Sequence, residues 1–113
     1  MKSLEQKERV ELMVGYLEWA LAWVEDESVV YEIVDISCDG WILYALWERC
    51  DCNKDGLKLT ANELRYYINE MIYFIKDGDI NDKIEEVVIG SKTLTIKTKK
   101  GYVKIKKKRK KML

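Results

Sequence analysis

Lys97, Lys99, Lys100, Lys104, Lys106, Lys107, Lys108, Arg109, Lys110 and Lys111 crowd ten cations into fifteen positions with no acid among them, and Tyr102 stands in their midst. Cations at this density, beside a ring able to stack on a sugar or base, are suited to phosphate-backbone contact. Lysine is a point charge, so such contacts position a polyanion without reading its sequence. A second constellation is Asp51, Asn53, Asp55 and Glu63, with Gly56 to make a bend. Side-chain oxygens at alternate positions let a loop wrap a hard cation such as calcium. No enzyme is expected: the chain has no His, no Gly-rich phosphate loop, and no Ser or Cys beside a plausible base. Cys50 and Cys52 lack the partners of a zinc site, and with Cys38 they read as buried or incidental thiols.

The formal net charge of zero conceals a separation. Residues 1–90 hold 20 Asp+Glu against 9 Lys+Arg, whereas residues 91–113 hold 11 Lys+Arg and no acid. An acidic body joined to a basic end asks for a polyanionic partner, of which nucleic acid is the expected one. The alternative is an assembly module in which the basic end of one copy docks on the acidic body of another. With 113 residues, 48% hydrophobic and 35% charged, the chain predicts one folded domain over residues 1–106 and a solvated basic tail over 107–113. The charged opening and the interruptions at Glu18 and Glu25 predict neither a secretory leader nor a membrane span, hence a cytoplasmic protein. Richness in Lys, Glu and Ile without Pro or His has the flavour of a hyperthermophile or one of its viruses.

The elements that would carry these residues follow from periodicity. A helix is predicted from Leu4 to Glu25, apolar on nearly every side, which makes it a homodimerisation element as well as core. The short β-branched run 29–36 fits a strand or a helical turn, and we read it as helix. Asp39 caps a helix over 40–50; a polar loop leads to a strand at Leu57–Leu59; Thr60 and Glu63 form a capping box opening a helix to Ile75. Ile80, Ile84, Val87 and Val88 recur at helical spacing, so a further helix is predicted up to Gly90. The period then becomes two: Leu94 and Ile96, a turn at 99–101, then Val103 and Ile105, alternating with Lys97, Lys104 and Lys106.

This α+β order, a long N-terminal helix followed by helix, strand, helix, helix and hairpin, resembles a winged helix-turn-helix domain. The resemblance implies that the helix over 80–89 reads DNA, with Asn81 and Lys83 as contacts, and that the hairpin is the wing. Asp79, Asp82, Glu85 and Glu86 on that helix oppose phosphate, so the hairpin and tail are expected to carry the contact. The string DCNKDGLKLTANEL resembles an EF-hand loop, which would make Asp51, Asn53, Asp55 and Glu63 calcium ligands. It departs by one residue: Glu63 stands at position thirteen, where the family places its bidentate ligand at twelve. No other cofactor is expected.

Overall fold

A computed structural model describes residues 4–25, 28–38, 57–77, 84–98 and 101–109. Its elements are α1 (Leu4–Trp23), β1 (Val29–Cys38), β2 (Leu57–Leu59), α2 (Ala61–Asp77), β3 (Ile84–Ile89), β4 (Thr93–Thr98) and β5 (Gly101–Arg109). The strands form one antiparallel sheet in the order β2-β1-β5-β4-β3. The two longest strands, β1 and β5, pair with each other although they are the first and last described strands in sequence. The α+β class is as expected.

Both helices feed a single core with one face of the sheet. Val14, Leu17, Ala20 and Trp23 of α1 and Leu64, Ile68, Met71 and Ile75 of α2 meet Tyr31, Ile33, Leu59, Leu94, Ile96, Val103 and Ile105 from the strands. Alternation sends every second strand residue into that core and its neighbours to the opposite face. The predicted capping box is present: Glu63 N–H donates to Thr60 Oγ1 at 3.1 Å and Thr60 N–H to Glu63 Oε1 at 3.2 Å, satisfying two orphan donors at the start of α2.

Two expected helical segments, 29–36 and the described part of 80–89, are strands, and each contains a bulge. In β1 the register slips between Ile33 and Asp35, so Ile33 and Ile36, three apart, lie on the same face. In β3 it slips between Ile84 and Glu86, so Ile84 and Val87, also three apart, share a face. A β-bulge adds one residue to one strand, and that extra residue converts a period of two into a local spacing of three that imitates a helix. Gly90, expected as a helix terminator, instead opens the β3–β4 turn, where its N–H donates to Thr93 O at 2.8 Å. A Cβ there would stand 3.1 Å from Thr93 Oγ1. The expected helix over 40–50 falls outside the described residues.

The C-terminus of α1 is tied to the sheet at one point. The Trp23 indole N–H donates to Gly90 O at 2.9 Å, its ring meets Tyr31 edge-on at 5.5 Å, and Lys107 Nζ lies 4.3 Å from its ring centre. The same ammonium donates to Trp23 O at 2.9 Å and to Glu25 Oε1 at 3.2 Å, with only 12% of the lysine side chain exposed. A cation here answers the unpaired carbonyls and negative dipole end of α1. Lys107 and Lys108 therefore belong to β5, not to the solvated tail expected from residue 107. Trp23→Ala is expected to cost about 3–5 kcal/mol of unfolding free energy and Lys107→Met about 1–2 kcal/mol. Lys106→Met, adjacent in sequence but on the other face, should stay within about 0.5 kcal/mol; urea unfolding of the three variants checks this ordering.

Candidate nucleic-acid interface

The core-facing residues of β5, Val103 and Ile105, oblige Tyr102, Lys104, Lys106 and Lys108 to project from the opposite side of the sheet. On that side β4 contributes Thr93, Thr95 and Lys97, and β2 contributes Lys58. Successive same-face residues on a strand are about 7 Å apart and neighbouring strands about 4.8 Å. The result is a field of lysines on β2, β5 and β4, with β1 between β2 and β5, and no described element covers it.

Carboxylates are distributed through this field. Glu32 stands across from Lys58 on one side and Lys106 on the other, and its Oε2 forms an ion pair with Lys108. Lys108 holds the Glu32 carboxyl below its ordinary range, burial opposes the shift, and the charges of Lys58 and Lys106 add to it. Asp35, across from Lys104, accepts a hydrogen bond from the Tyr102 hydroxyl at 2.9 Å. That bond and the carboxylate charge raise the Tyr102 pKa. Glu86 approaches Lys97 at 3.9 Å, with both side chains about half exposed. Lys58, Lys104 and Lys106 make no ion pair with a described residue.

The expected contact residues thus separate into groups. Tyr102, Lys97, Lys104, Lys106 and Lys108 are brought together on the open face, with Lys97 and Lys108 partly neutralised. Lys107 is on the core side, locked to α1. Arg109 ends β5 opposite Val29. Asn81, Lys83, Lys99, Lys100, Lys110 and Lys111 lie outside the described residues, as do Asp51, Asn53 and Asp55. Of the proposed calcium ligands only Glu63 is described; one of its carboxylate oxygens accepts the Thr60 amide of the capping box. Among the described residues no group of three or more Cys, Asp or Glu is arranged to hold a metal ion. No described helix is long and apolar enough to cross a membrane.

Sequence reasoning missed Lys58, Glu32 and Asp35. The apolar flanks of Lys58 mark it as pointing away from the core, but only the β2-β1-β5 order places it beside Lys106 across Glu32.

Because the folded state depresses the Glu32 pKa, its ion pair stabilises the protein above the ordinary carboxyl value of 4.5 and is lost as pH falls through the folded value. Stability is therefore expected to drop on acidification below about pH 4.5, with a shallower drop in Glu32→Gln; urea midpoints from pH 6 down to about 3 measure it. No family model matches the chain, and neither does any curated protein or solved structure, so the functional reading rests on this geometry.

Proposed function

We propose that this protein binds the phosphate backbone of nucleic acid along the open face of its sheet, as a small regulatory or architectural factor. The observation that carries the reading is the placement of Lys104 and Lys106 on the central strand, with Lys97 on the neighbouring β4 and Lys58 on β2 one strand beyond β1, all on a face away from the core. A twisted lysine surface with one aromatic ring, Tyr102, offers charge and a single stacking platform, which favours backbone contact with little sequence preference. The proposed contact uses the β4–β5 pair and its neighbours and no reading helix. Lys110 and Lys111 follow Arg109 in the chain and add to the same cationic end.

Glu32, Asp35 and Glu86 reduce the potential of this face, and their removal should therefore strengthen binding. The test is fluorescence polarisation with random single-stranded and duplex oligonucleotides across a salt series. Neutralisation of about four phosphates predicts a log K against log salt slope of roughly −3 to −4. The Lys104→Glu, Lys106→Glu double variant is expected to lose binding by roughly 30-fold or more, and Glu32→Gln to gain about 3-fold, by the loss or gain of like-signed charge near phosphate. Absence of binding to either oligonucleotide at low salt would remove the proposal. Salt-reversible self-association without nucleic acid, abolished by the double variant, would instead establish docking of this face on the acidic surface of another copy.

A further inference from the structure

The outer side of α1 carries a feature that packing among the described residues does not explain. Leu12, Gly15, Trp19 and Ala22 lie along the exposed side of the helix, with Leu12 56% and Trp19 67% accessible. Their spacing of three, four and three residues is that of a helix-pairing seam, here on the side away from the core. Large and small residues alternate along it. Gly15 sits in mid-helix, where glycine weakens a helix relative to alanine, and a Cβ added there meets nothing within 4 Å. Packing among the described residues therefore gives no reason for a glycine at this position.

We propose that this seam joins two copies of the chain through an antiparallel pairing of their α1 helices about a two-fold axis level with residue 17. In that arrangement Leu12 of one copy lies against the partner's Ala22, and Gly15 lies beneath the partner's Trp19, so each large side chain fills the gap left by a small one. The same stripe supplies both knob and hole, which is the requirement of an isologous interface. Glycine at the crossing lets the helices approach closely enough for the indole to be buried.

Area supports a second copy as the occupant. On α2, which packs against α1, Tyr66, Tyr73 and Phe74 are also exposed on the side away from the core. Aromatic side chains carry about 150–250 Å² each, so these three with Trp19 and Leu12 leave roughly several hundred Å² of apolar surface exposed on the two helices. That is of the order of the ~800 Å² per partner of a standard interface. The lysine face lies on the far side of the sheet, so pairing through α1 would present two such faces outward.

Sedimentation of the intact protein at ~100 µM, a concentration well above micromolar dissociation constants, is expected to give the mass of two copies. Gly15→Leu fills the hole the partner's Trp19 needs while placing a better helix former in open space, so it should sediment as one copy with its helical circular dichroism retained. Trp19→Glu should do the same. A wild-type protein sedimenting as one copy at this concentration, or a dimer that survives Gly15→Leu, overturns the proposal.

Discussion

The placement of β5 governs the rest of the molecule. A strand in the centre of a sheet that is dry on one side and wet on the other can hold cations only at every second position. Val103 and Ile105 face the helices, so Lys104, Lys106 and Lys108 have one direction left to take. What composition presents as a diffuse basic end becomes a directional surface. Lys107 shows the rule from the other side: it falls on the helix-facing register and is accommodated because the carbonyl end of α1, the Trp23 ring and Glu25 together supply the contacts its ammonium needs there.

The pairing of β5 with β1 also decides how much of its charge is compensated. Had β5 lain at an edge, its lysines would have had one neighbour; at the centre they meet Glu32 and Asp35 from β1 on one side and Thr93, Thr95 and Lys97 from β4 on the other. Acids on one flank and uncharged or basic residues on the other produce a gradient across the face, most neutral near Lys108 and Glu32 and most positive between Lys104, Lys106 and Lys97. The separation of charge along the chain is thus partly cancelled in space without being erased. The fold brings the two ends of the chain together and leaves an excess of lysine on the exposed side.

Much of this was legible from local pattern. The stripe of α1, the capping box at Thr60 and Glu63, the short strand at Leu57–Leu59 and the alternation of the β4–β5 pair all rest on interactions within a few residues, and each is present. The strands β1 and β3 were misread because each contains a bulge, and the cost of a bulge is met by pairing partners far away in sequence. The extent of β5 beyond Lys106 was hidden for a similar reason. A run of cations has no local cause to be a strand; Lys107 and Lys108 are ordered by Trp23, Glu25 and Glu32, more than 75 residues earlier. At the candidate site the lysines themselves could be named in advance, but the acids that temper them could not, since which strands are neighbours is a tertiary fact.

The bulge in β3 has a meaning for the colloidal behaviour of the molecule. Among the described residues β3 ends the sheet, and a flat terminal strand offers open amides and carbonyls that any passing extended segment can extend upon. Its sequence would be hazardous in that role, because Val88 and Ile89 are both exposed. The register shift between Ile84 and Glu86 interrupts regular pairing, as bulges do at sheet edges, and Glu85 and Glu86 place two like charges where an identical strand from another molecule would have to lie. The bulge that disguised this strand in the sequence thus makes it a poorer template for a further strand.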